Sequence, residues 1–195
     1  MDTAQPPDPK QSEVERSPVT LEDLELLMET LLFTEEDIRA LRMSIEALEG
    51  RIDAILEVWF AYTASFPHLL HFFTRKEDGR PDGAYLAAVR KRFGRWILET
   101  AAANFDQAWL DRQHEIGLRH HRSKKNRTDD VESVEHINFR YLPAFIPPLT
   151  TTLRPFLAAG DASAAEVERM HAAWVKAITL HVILWSYPYV KNGDF

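Results

Sequence analysis

From Thr20 to the C-terminus, apolar residues recur three and four positions apart, and no stretch alternates apolar with polar residues between turn signals as a strand would. A chain with that one periodicity buries its apolar faces by packing helix on helix, so the expected fold class is all-α. No internal repeat is visible. The 195 residues, 45% of them hydrophobic, fit one domain with a core large enough to enclose a cofactor.

The helices can be placed from their end signals. Pro6, Pro7, Pro9 and Pro18 among polar residues mark 1–19 as irregular, and order is expected from Thr20. TLEDLELLMETL reads as a short helix with Thr20 as N-cap and Glu22 and Asp23 in its first turn. Thr34 caps a second helix through TEEDIRALRMSIEALEG, with Gly50 as its stop. A third carries Ile52, Ile55, Leu56, Trp59 and Phe60, and FPHLLHFF adds a short apolar turn after the Pro67 break. RKEDGRPDG reads as loop. Two further helices span Tyr85 to Ala103 and Asp106 to His121, followed by a polar connection to about Glu135.

In INFRYLPAFIPPLTTTLRPFLA the residues Phe139, Leu142, Phe145, Ile146 and Leu149 keep helical spacing, but Pro143, Pro147, Pro148 and Pro155 interrupt it. Each interior proline costs about 3 kcal/mol in a regular helix, so a kinked or locally opened helix is expected. The last helix runs from Ala164 to about Val190 with Val167, Met170, Trp174, Ile178, Ile183 and Trp185.

Composition excludes several classes. A net charge of −7 argues against a general binder of nucleic acid or anionic membranes, and the basic run Arg119 to Arg127 is local. The absence of cysteine rules out disulfides, a thiolate ligand and Cys-based zinc sites, leaving histidine as the strong nitrogen donor. The start has no apolar signal-peptide core. The longest apolar stretch, Ala177 to Trp185, is broken by Thr179 and His181 and is too short to span a bilayer. A cytoplasmic location is the expectation.

The chemically most informative segment is EIGLRHHRSKKNR, which places His120 and His121 where an apolar-faced helix bearing Trp109, Ile116 and Leu118 turns basic. A neutral imidazole there can ligate iron, zinc or copper; the ordinary alternative is a cap on the terminal carbonyls. Neighbours on a helix lie about 100° apart, so only one of the pair can face a given site and His121 is expected to point away. His68 and His71 are spaced for zinc but lack a third ligand, and His114, His136, His171 and His181 have no evident role. There is no Gly-rich phosphate loop.

YLAAVRKRFGRWILET (85–100), DQAWLDRQHEIGLRHHRSKKNRTDDVESV (106–134) and ILWSYPYVKNGDF (183–195) resemble protoglobins, the single-domain relatives of globin-coupled sensors, and the resemblance runs from about Thr20 to the C-terminus. It implies a globin-like α-helical sandwich with an additional N-terminal helix over 20–195, holding haem b through His120 as the proximal ligand. Trp59 and Phe60, Val89 and Phe93, and Leu142 and Phe145 are of the right chemical type for the pocket walls. By themselves such aromatics read as ordinary core. The resemblance puts Phe60, Phe93 and Phe145 on the distal side with Trp59 beside them. Arg92, next to Phe93, either pairs a haem propionate or is a solvated surface residue. The resemblance also implies a homodimer through the last two long helices; Trp174 and Ile178 are candidate contributors but could equally face their own core.

Two departures from the family stand out. Many protoglobins have Tyr where this chain has Phe60, so a hydroxyl donor to a bound gas is missing and polar help must come from Trp59, Tyr62, water or nothing. Pro143 and Pro147 replace residues that are commonly apolar or aromatic. The expected function is reversible binding of O2, CO and NO at pentacoordinate iron, for sensing, storage or detoxification, with a separate signalling or reductase partner. A haem enzyme acting on NO (a dioxygenase) or on peroxide is the alternative, and a cofactor-free helical interaction module is the third.

Overall fold

The computed structural model describes residues 14–195. Pro6, Pro7 and Pro9 lie outside the described residues, while 14–19 are irregular and lead into α1 (Leu21–Thr30). Thr20 accepts from the Asp23 N–H at 3.1 Å while the Asp23 carboxylate accepts from the Thr20 N–H at 2.9 Å, a reciprocal cap that fixes the first helix start.

The chain continues as α2 (Glu35–Leu48), α3 (Ile52–Ala64), α4 (Pro67–Leu70), α5 (Gly83–Ala102), α6 (Gln107–His120), α7 (Tyr141–Ala144), α8 (Ile146–Leu157) and α9 (Ala164–Trp185). Asp82, Asp106 and Ser163 cap α5, α6 and α9 by accepting from the Tyr85, Trp109 and Glu166 N–H groups. Among the described residues there is no strand, only two isolated bridges, Thr74 with Pro81 and Arg75 with Ser133.

The long helices pack on one another: α9 lies against α2, α6 and α8, α2 also against α5, and α3 against α5 and α8. The core between them includes Leu41, Leu48, Ile55, Ile97, Leu153, Trp174 and Ile178, none more than 1% exposed. A second cluster of Val19, Leu24, Trp109, Leu110, Leu180 and Leu184 fastens α1 onto α6 and α9, so the extra N-terminal helix is docked on the domain. Asp37 on α2 accepts from Lys176 on α9 at 2.8 and 3.0 Å, and this partly buried pair holds the carboxyl below its ordinary range.

α2 ends at Leu48 just before Gly50, and Glu49–Arg51 is a turn of 3-10 helix that leads directly into α3. One expectation needs correction. The last helix ends at Trp185 rather than Val190, because Ser186 closes it and Pro188 lies in the short 3-10 turn Tyr187–Tyr189. Of the two places open to Trp174 and Ile178, the structure shows the second: both are fully buried in their own core. The Pro-rich segment breaks into α7 and α8 at Phe145, with Pro147 and Pro148 in the first turn of α8, where a missing N–H costs little.

Candidate functional site

A deep apolar cavity opens between α3, α5, α6, α7, α8 and α9. It is lined by all eight of the residues singled out in the sequence: Trp59, Phe60, Val89, Arg92, Phe93, His120, Leu142 and Phe145. Trp59 and Phe93 face each other with ring centroids 4.8 Å apart, Phe60 meets the edge of Phe93 at 6.5 Å, and Tyr62 meets Phe145 at 6.2 Å. Val89 and Phe93 share one side of α5 through their i, i+4 spacing, whereas Trp59 and Phe60 are neighbours about 100° apart on α3 and both line the cavity all the same.

His120 is the one histidine lining this cavity among the described residues. Its Nδ1 lies 2.8 Å from the Ile116 carbonyl one turn back. A carbonyl only accepts, so Nδ1 carries the proton and Nε2 keeps its lone pair for a ligand bond. The terminal-cap reading is thus half of the answer, because the same imidazole caps with one nitrogen and leaves the other available. His120 is reachable only in part, and burial, outweighing the hydrogen bond to Ile116, pushes its pKa below the ordinary value and keeps the ring neutral at pH 7.

One contact fixes the ring, and two more hold the end of its helix in place. Trp185 on α9 stacks on it at 5.5 Å with 13° between the planes, and the Trp185 indole donates to Gln113 Oε1 at 3.0 Å. Gly117 lets the helices approach so closely that a Cβ there would sit 3.0 Å from the Trp185 carbonyl oxygen. The Ile137 N–H bonds the His120 carbonyl at 3.0 Å, closing the end of α6. His121 does not line the cavity; it bonds Ser123 and packs against the rings of His136 and Tyr189.

Polar groups in the cavity are few and mostly committed. The Trp59 indole donates to Thr152 Oγ1 at 2.6 Å, and that hydroxyl in turn donates to the Pro148 carbonyl at 2.6 Å. Trp59 therefore does not present a free N–H to the cavity. Arg92 is half-buried and not free: it grips Asp129 through two bonds of 2.7 and 2.6 Å. Arg119 pairs with buried Glu115 at 2.8 Å. Lys125 and Tyr85 complete this polar side, and burial pushes the Tyr85 phenol up to about 12.

Sequence reading did not assign Trp185, Thr152, Asp129 or Lys125 to the site. Trp185 was visible as one more core aromatic. The other three act through contacts across 93, 37 and 53 residues, for which no periodicity gives a signal.

The six long helices, the docked extra helix and a cavity entered by a single imidazole define a globin-type fold. A solved structure of the globin domain of a Geobacter sulfurreducens globin-coupled sensor superposes with a TM-score of 0.66 at 16% identity, covering 86% of this chain and 98% of that one. The protoglobin family model matches residues 20–195, and the chain belongs to that family. Membership implies haem-based gas binding. No curated protein matches the chain.

The residues present fit a haem. The cavity is walled mainly by aromatic and aliphatic side chains, carries one neutral imidazole with a lone pair to spare, and bears cationic groups along one side for carboxylates. Among the described residues no cluster of three or more His, Asp or Glu competes as a metal site, and no helix is long and apolar enough to cross a membrane.

Proposed function

We propose that each chain binds one b-type haem through His120 and takes up O2, CO or NO reversibly at pentacoordinate iron. The observation that carries this reading is the pose of His120: neutral, stacked on Trp185, tied through Nδ1 to Ile116, and lining an otherwise apolar cavity. When bound, haem supplies an iron centre that coordinates a diatomic ligand. The chain's residues supply what surrounds it. His120 donates the nitrogen, and the hydrogen bond to Ile116 raises its donor strength. Trp59, Phe60, Phe93, Leu142 and Phe145 exclude water.

Gas binding is favoured over peroxide chemistry by one feature. Cleavage of an O–O bond benefits from a free acid–base residue, and Asp129, the carboxylate on the cavity wall, has both oxygens engaged by Arg92. The reading further places the protein in the cytoplasm as a homodimer, working with a separate signalling or reductase partner. Titrating the haem-free protein with ferric haem tests it: a Soret band should saturate at one haem per chain and shift on adding CO after reduction. A titration without a break at that ratio, or a band insensitive to CO, would overturn it.

A further inference from the structure

Lys125 is only 2% exposed, although lysine is among the residues most rarely buried. It follows α6 in the loop that returns toward α7, and its amine is drawn inward to the Phe72 carbonyl at 2.9 Å and to Asn126 Oδ1 at 3.3 Å, over the face of the Tyr85 ring at 5.3 Å. An ammonium has three donors, and two are used. Among the described residues no carboxylate lies within ion-pairing distance of it. The other cations of the cavity wall are different: Arg92 is paired with Asp129, and Arg119 with Glu115, which Lys124 also contacts at 2.6 Å.

Among the described residues Lys125 is therefore the cation of the cavity wall without an ion-pair partner, Asp129 acting on it only from longer range. A buried cation without a counterion is costly, and such a charge is retained where a ligand completes it. Burial also pushes the amine down to about 8, as expected for a cation awaiting its partner.

We propose that Lys125 anchors a carboxylate of the haem, giving the pocket its preference for a porphyrin that ends in free acids. Arg92, already held by Asp129, contributes as part of a neutral pair. This inference rests on the haem-binding reading, and the following experiment separates the two.

Haem-free wild type, Lys125→Gln and Lys125→Arg are titrated with ferric protoporphyrin IX and with its dimethyl ester, following quenching of tryptophan fluorescence. Wild type should bind the diacid at least tenfold more tightly than the diester. Lys125→Gln should lose most of that preference while binding the diester as wild type does, and Lys125→Arg should keep it. Equal affinity of wild type for the two porphyrins would overturn the assignment. So would a Lys125→Gln variant that weakens both alike, which marks a structural role. Failure of wild type to bind either porphyrin would refute the functional reading itself.

Discussion

His181 makes the fold acid-labile in a way that can be isolated. Its ring is wholly inaccessible on α9, enclosed by Trp96, Trp109 and Trp185, and it stacks on the same Trp185 that holds His120. The Trp96 indole donates to His181 Nδ1 at 3.0 Å. Protonation would place a second hydrogen against that donor and a charge in an apolar enclosure. Burial alone pushes the group down to about 3, from an ordinary 6.5. Above pH 6.5 both folded and unfolded states are neutral and the residue is without pH effect. Between 6.5 and 3 the unfolded chain takes up a proton that the folded chain refuses, so stability falls as the pH falls through that window. At about 1.4 kcal/mol per pH unit the full loss is about 5 kcal/mol, a large share of the stability of an ordinary domain.

The perturbation is His181→Gln, whose amide oxygen still accepts from Trp96 but does not titrate. Urea unfolding of both proteins from pH 7 to 4.5 gives the difference in stability. Relative to the variant, wild type should lose about 3 kcal/mol across that range. His114, His120, His121 and His136 are also lowered by burial and add acid sensitivity of the same sign, but they are common to both proteins and cancel. A difference in stability that is constant with pH would refute the reasoning.

Three further outcomes follow from the same contacts. Gly117→Ala forces a Cβ against the Trp185 backbone; overpacking costs about 1–3 kcal/mol and alanine's better helix propensity returns about 1, so net destabilisation should reach about 2 kcal/mol, with faster haem loss in a transfer assay. Phe60→Tyr supplies a hydroxyl that neither Phe60 nor the engaged Trp59 indole offers, and should slow O2 dissociation about tenfold or more while moving CO dissociation less; stopped-flow traces unchanged for both gases would remove Phe60 from the ligand's surroundings. Sedimentation at micromolar concentration should show a homodimer, with Trp174 and Ile178 excluded from its interface by their burial.

Much of this architecture is legible in the sequence because it is local. Helical spacing and the Thr20 cap place α1, and the same spacing gathers Val89 with Phe93 on the cavity wall. The prolines announce a break near Phe145, yet whether a proline ends a helix or starts one depends on which side the next turn forms, and Pro147 and Pro148 start one. Gly50 does follow the end of α2, but its backbone stays out of the left-handed region, so the chain passes through a 3-10 turn straight into α3. Burial of Trp174 and Ile178 is likewise ambiguous in sequence, because a core face and an interface face carry the same residue types. Asp129, Lys125 and Thr152 are placed by packing between distant segments, which no window of sequence contains.

The most direct test of the central claim is the ferrous absorption spectrum of the haem-loaded protein beside His120→Ala and His121→Ala. The structure predicts a five-coordinate histidine-ligated spectrum in wild type, the same spectrum in His121→Ala, whose ring turns to Ser123, and loss of that spectrum and of tight haem retention in His120→Ala. Full haem occupancy with an unchanged ferrous spectrum in His120→Ala would contradict the account.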